Sequence, residues 1–154
     1  MNTKKAVLTA ALCLTAVVVA LASDPNVGTW KLNEAKSKIP AGAIKNTTVV
    51  YTAVGDDFKC VVEGVDGAGK PTHNEWTGKF DGKDYPVVGD PAADTRSVRL
   101  VKPGHYTLTN KKDGKAVVTG TLAFSADNKS RTVTTHTTDA AGKKQTSIAV
   151  YDRQ

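Results

Sequence analysis

Cysteine is almost absent from this chain. It has two, Cys13 and Cys60, and Cys13 lies in an N-terminal apolar run, so the part expected to fold carries one. No internal disulfide can staple it, and a small exported domain without staples must be held by a core of its own. Leucine and glutamate are nearly as scarce. Beyond residue 22 there are only Leu32, Leu100, Leu108 and Leu122, and only Glu34, Glu63 and Glu75. Val and Thr are abundant instead, and β-branched side chains lose rotamer freedom against a helical turn but pack well on a pleated sheet. Extended helices are therefore not expected. Clusters of like charge are also missing. Charges scatter into apparent turns such as Asp56-Asp57, Asp81-Gly82-Lys83, Lys112-Asp113-Gly114-Lys115 and Lys143-Lys144. A nucleic-acid reader gathers Lys and Arg on one face with aromatics among them, so no nucleic-acid partner is expected.

The N-terminus reads as a secretory signal. Lys4 and Lys5 precede an apolar stretch from Ala6 to Ala20, and Ala20-Leu21-Ala22 supplies the small residues of a signal-peptidase site. The stretch is shorter than the roughly 20 residues of a permanent bilayer-spanning helix. Residues 1–22 are thus expected to be a signal peptide and 23–154 a single domain, exported to the periplasm or the medium. An uncleaved anchor is the competing reading, and lipidation of Cys13 is disfavoured by Leu12 before it. Loss of Lys4 and Lys5 leaves 19 basic against 15 acidic residues, a mildly basic +4.

Runs of extended-chain composition are separated by turn formers: Gly55-Asp56-Asp57, Asp66-Gly67-Ala68-Gly69, Asp81-Gly82, Asp113-Gly114, Asp127-Asn128 and Asp139-Ala140-Ala141-Gly142. Asp and Asn bond their own backbone and tolerate left-handed geometry, which Gly adopts without strain. The runs predict strands over 27–32, 45–54, 57–65, 72–80, 84–88, 95–102, 105–111, 115–124, 130–138 and 145–152, with at most a short helix within 33–43. Two-residue alternation places Ala116, Val118, Gly120, Leu122 and Phe124 on one face, Trp76 and Phe80 on one face, and Ile148 and Val150 opposite Ser147 and Tyr151. Cys60 alternates with Phe58 and Val62 and reads as a core residue. One apolar face per strand and a short turn after each predict an all-β fold, a single antiparallel up-and-down β-barrel of about 8–10 strands, because closure removes unpaired edges. An outer-membrane barrel would need an outward apolar band and aromatic girdles. Aromatics make up only 6% of the chain, and 130–138 is polar on both faces. Once the signal is removed, no integral membrane protein is expected.

The opening of the folded part, Val27-Gly28-Thr29-Trp30-Lys31-Leu32, resembles the first strand of the calycin superfamily, which includes lipocalins, fatty-acid-binding proteins and bacterial lipocalin-like domains. The G-x-W of that strand is matched by Gly28, Thr29 and Trp30. The resemblance implies a lipocalin-like barrel whose Trp plugs one end beneath a basic residue of the last strand, a role that falls to Arg153. A cation over an indole face is worth about 0.5–2 kcal/mol, and the guanidinium is expected within about 6 Å of the Trp30 ring. Three features depart from relatives. The segment after the first strand is too short for the helical lid of fatty-acid-binding proteins. Their Arg-x-Tyr pair is reversed here as Tyr151-Asp152-Arg153, so that site is not carried over. The disulfides frequent in lipocalins are impossible within residues 23–154, which hold Cys60 alone.

Catalytic signatures are missing. There is no G-x-S-x-G elbow, no Gly-rich phosphate loop opening a helix, and no evident carboxylate pair for glycoside hydrolysis. His73, His105 and His136 lie in three separate strands without a local ligand pair, His73 and Glu75 on one strand face being the best constellation. No catalytic residue, metal or cofactor is assigned. The strand Thr132–Thr138 is unusually rich in Thr: the simpler reading is an exposed strand, the sharper one a hydroxyl-lined cavity wall. The favoured function is non-catalytic binding of a small hydrophobic ligand. The alternatives are a packed barrel contacting an envelope partner and, behind it, a metal- or His-dependent enzyme.

Overall fold

A computed structural model of the protein describes residues 24–138 and 142–154. The expected signal peptide and its cleavage site lie outside the described residues. Ten strands follow in chain order: β1 (Gly28–Leu32), β2 (Lys45–Val54), β3 (Asp57–Val65), β4 (Pro71–Gly78), β5 (Tyr85–Val88), β6 (Thr95–Lys102), β7 (His105–Lys112), β8 (Lys115–Phe124), β9 (Ser130–Thr138) and β10 (Lys144–Arg153). The only helical piece among the described residues is one 3-10 turn, Glu34–Lys36, capped by the Asn33 side chain. Every strand pairs antiparallel with its successor, and β1 closes the ring against β10 through Trp30↔Arg153 and Leu32↔Tyr151. No helix among the described residues is long and apolar enough to cross a membrane.

Turn chemistry explains the meander. Asp113 and Gly114 both take positive φ (48° and 74°), the geometry that a two-residue hairpin between right-twisted strands requires. Asn128 does the same at φ 54° between β8 and β9. One seam is thin: β5 pairs with β4 only through Glu75↔Val88 and Trp76↔Val87, and with β6 only through Tyr85↔Arg96 and Pro86↔Thr95. Pro86 has no N–H to give, which limits that strand's ladder.

All nine aromatic side chains beyond the expected signal turn inward, as buried core members or packed against them. Many gather in one half of the barrel. Phe80 stacks on Phe58 (centroids 4.3 Å apart) and meets Tyr106 edge-on (5.3 Å), while Phe124 meets Trp30 edge-on (5.4 Å). These rings pack against one another, whereas Val49, Val62, Val133, Thr135 and Ser147 border space that side chains do not fill.

The inward parity of nearly every strand follows the sequence alternation, and β10 is the exception. Tyr151 is buried and Ser147 lines the interior, so Ile148 and Val150 face outward, opposite to expectation. They are covered from outside by the segment after β1. Lys38 exchanges backbone hydrogen bonds with Ile148, and the Ser37 hydroxyl accepts from the Val150 N–H at 2.9 Å. A short strap thus supplies an apolar environment on the outer face, which local alternation cannot anticipate. Ala116, expected inside, is exposed because a bulge between Asn110 and Lys111 shifts the start of β8.

Candidate functional site

The closed end of the barrel is built from the residues around the G-x-W. Asp24–Val27 crosses the end just before β1 and is tied down by side chains from several strands. Asn26 is buried, its carbonyl accepts from Trp30 Nε1 at 2.8 Å, and the Tyr106 hydroxyl donates to the Asp24 carboxylate at 3.2 Å. Arg153 clamps the same segment: Nη1 donates to the Val27 carbonyl (2.8 Å), Nη2 to that of Pro25 (2.6 Å) and Nε to that of Asn128 (2.9 Å). Its guanidinium carbon lies 4.4 Å from the centroid of the Trp30 ring, inside the expected 6 Å. Gly28 makes room for this clamp. Its φ is +134°, and a Cβ there would stand 2.9 Å from Arg153 Nη1. Gly28, Trp30 and Arg153 therefore meet in one place.

Above this floor the interior is hollow. A cavity of about 660 Å³ runs to the opposite end, within the roughly 300–1,000 Å³ typical of small-molecule sites. Val49, Val62, Val98, Leu108, Leu122 and Val133 form its apolar wall. The open rim is made by Pro40–Ile44 before β2 and Gly89–Ala92 after β5, with Ile44 half exposed.

Two arginines line the cavity. Arg131, on β9, is 2% exposed and sits near the floor, its guanidinium 4.7 Å from the centroid of the Trp30 ring, 5.4 Å from Tyr51 and 5.3 Å from Tyr151. Burial lowers its pKa from the ordinary arginine value, partly countered by the neighbouring Tyr51 and Cys60. Arg96, on β6, is steadied by Asn110, whose Oδ1 accepts from Nε at 3.0 Å, and by Asn74, whose Oδ1 accepts from Nη2 at 3.3 Å. Its own carbonyl accepts from Trp76 Nε1. Tyr51 and Cys60 face each other across β2 and β3 and line the cavity. Burial pushes both the Tyr51 hydroxyl and the Cys60 thiol up, leaving Cys60 a poor nucleophile at neutral pH. The Tyr151 hydroxyl, donating to the Asn46 carbonyl at 3.0 Å, is pushed up to about 12, again by burial.

The Thr-rich strand serves two purposes at once. Thr135 and Thr137 line the cavity, while Thr132, Thr134 and the exposed His136 stand on the other face, so both readings of β9 hold, residue by residue. The histidines are not brought together. His105 is exposed on β7, and His136 Nδ1 lies 3.0 Å from the Thr146 hydroxyl. His73 is exposed on β4, with Nδ1 2.6 Å from Glu63 and Nε2 3.4 Å from Glu75, which also holds Lys59 at 2.7 Å. Among the described residues no group of His, Cys, Asp and Glu is placed to hold a metal ion.

Arg131, Arg96 and Asn26 escaped the sequence reading. A signal was there for the arginines: Arg131 shares strand parity with Val133, and Arg96 with Val98, so each is a charge on an inward-facing position.

No protein-family model and no curated protein matches this sequence. Among solved structures, EF1p2_mFAP2b bound to DFHBI aligns over 84% of this chain and 94% of its own at 12% identity, with a TM-score of 0.50. Lobster apocrustacyanin A1 aligns over 86% of this chain and 63% of its own at 13% identity, with a TM-score of 0.40. At such identities the likeness is one of fold. The shared fold is a single closed antiparallel barrel, formed here by a ring of ten consecutive strands.

Proposed function

We propose that this protein is an exported, non-catalytic barrel that holds a small, largely apolar molecule in its interior. The observation that carries the reading is the cavity of about 660 Å³, plugged at the Trp30 end and open at the other. Such a volume is costly to leave unfilled in a barrel, since close packing of side chains stabilises an interior. The walls are mostly aliphatic with a few placed polar groups, the usual lining of a small-molecule site. A barrel of the same fold solved with DFHBI bound supports the reading. Export rests on Lys4, Lys5, the apolar run and Ala20-Leu21-Ala22.

Titration of the purified protein with the neutral apolar fluorophore N-phenyl-1-naphthylamine tests the reading. Saturable binding is expected, and Leu108→Trp, which places an indole in the cavity, is expected to abolish it while leaving the circular dichroism of the barrel intact. Absence of saturable binding, or binding indifferent to Leu108→Trp, would sink it. Edman sequencing of the exported protein tests the export part, with Ser23 expected as the first residue.

A further inference from the structure

Arg131 and Arg153 both approach the Trp30 indole, yet their hydrogen bonding differs sharply. Arg153 gives all three of its donor nitrogens to backbone carbonyls. Arg131 is more deeply buried and reaches only the Asn26 side chain, from Nη1 at the long distance of 3.4 Å. Its Nε is a buried donor with no partner. None of the ion pairs among the described residues involves Arg131 or Arg96. The acidic residues that line the cavity, Asp66 and Asp90, stand at its rim and hold their own turns, accepting from the Ala68, Lys70 and Ala92 N–H groups.

A buried charge is expensive unless it is paired, and a guanidinium does not escape by losing its proton near neutral pH. Three aromatic faces offset part of that cost but accept no hydrogen bond from the guanidinium edge. The Asp24 carboxylate at the floor accepts from Asn26 and Tyr106 and makes no ion pair with Arg131, which leaves a direct counter-charge to come from outside the chain, through the open mouth.

We propose that the apolar molecule held in the cavity carries an acidic group, which descends to the floor and accepts from Arg131 while Arg96 supplies a second positive charge from the wall. This inference rests on the ligand-binding reading above. It assigns the molecule an orientation, acid toward Trp30 and apolar body toward the rim. A planar carboxylate or a phosphoryl group would satisfy the same donors, since an arginine fork suits both.

The test is displacement of bound N-phenyl-1-naphthylamine by four compounds of one chain length: dodecanoate, dodecyl phosphate, methyl dodecanoate and dodecanol. At least one anion is expected to displace the fluorophore at about tenfold lower concentration than the ester or alcohol, the scale of a charge-assisted hydrogen bond. Which anion is stronger names the group as carboxylate or phosphoryl. The ratio of anion to ester is expected to collapse towards one in Arg131→Met and to shrink in Arg96→Met, each variant's folding checked by near-ultraviolet circular dichroism. Should Arg131→Met fail to fold, the ratio in the unaltered protein and in Arg96→Met still decides. Equal displacement by all four compounds, or an anion preference that survives Arg131→Met, would overturn the acidic group while leaving the apolar cavity standing. No binding of the fluorophore or of any of the four removes the ligand reading itself.

Discussion

Arg153 and Gly28 form a pair in which each explains the other. The guanidinium needs the space above Gly28 to reach the Val27 and Pro25 carbonyls, and Gly28 needs its positive φ to turn the chain under it. Arg153→Ala is expected to cost about 1–3 kcal/mol in urea-denaturation measurements, from lost charged hydrogen bonds and the indole contact. Arg153→Lys should recover little of it, because an ammonium on a flexible stem cannot span the same carbonyls. At Gly28, Ala is expected to be destabilising through both its backbone conformation and the collision with Arg153 Nη1. A neutral effect of either change would show that the plug is not under tension from this contact.

His73 supplies a pH dependence at the same scale. Its pKa is raised, first by the hydrogen bond to Glu63 and further by Glu75, and the Glu75 carboxyl is lowered, first by Lys59. A histidine whose folded pKa exceeds its unfolded value lends stability that is fully present below the unfolded pKa, near 6.5, and is lost as pH rises through the folded pKa. Proton NMR of the His73 ring should show a midpoint above the ordinary histidine value of about 6.5. Glu63→Gln should bring it down and flatten the small fall in Tm across that window. A His73 midpoint unaffected by Glu63→Gln would refute the pairing. The group is exposed, so the contribution to stability is small.

At the scale of the element, β5 and β9 carry the consequences. The fifth strand has four residues and one proline, and two paired positions on each side. The β4–β5–β6 seam should therefore be the first part of the wall to open. In native-state hydrogen exchange, the Val87 amide, bonded to the Asp94 carbonyl, is expected to exchange faster than amides in the middle of β3 or β9. Uniform protection around the ring would contradict this. In β9, alternation separates two chemically similar residues: Thr135 lines the cavity and Thr134 does not. Thr135→Val is expected to change affinity for N-phenyl-1-naphthylamine by about two- to tenfold, the range of one neutral hydrogen bond exchanged for apolar contact. Thr134→Val should leave affinity unaltered, and equal effects would mean that the strand's register differs.

For the whole molecule, closure is the decisive property. β1 and β10 lie at opposite ends of the chain and pair only when everything between them is in place, so unfolding should be cooperative. Trp30 and Trp76 report by fluorescence, and Cys60, buried and with its thiol pushed up, reports by its protection from iodoacetamide. Both signals are expected to change at one urea midpoint, and earlier labelling of Cys60 would reveal a mouth or seam that admits the reagent to the folded barrel.

Much of this architecture was legible in one dimension. The positions of the strands follow from Val- and Thr-rich runs between Asp-Gly and Asp-Asn turns, since pleat and turn geometry depend on a few neighbouring residues. The G-x-W opening pointed to the plugged end through its resemblance to a known first strand, and the structure adds the steric need for Gly28 beside Arg153. Only the tertiary structure decided which way β10 faces, because the cover over Ile148 and Val150 comes from Ser37 and Lys38, far away in sequence. Closure alone left the barrel hollow in part and carried Arg131 and Arg96 inside it. Whether a charge on an inward parity position meets a carboxylate depends on side chains contributed by other strands, and no local pattern encodes that meeting.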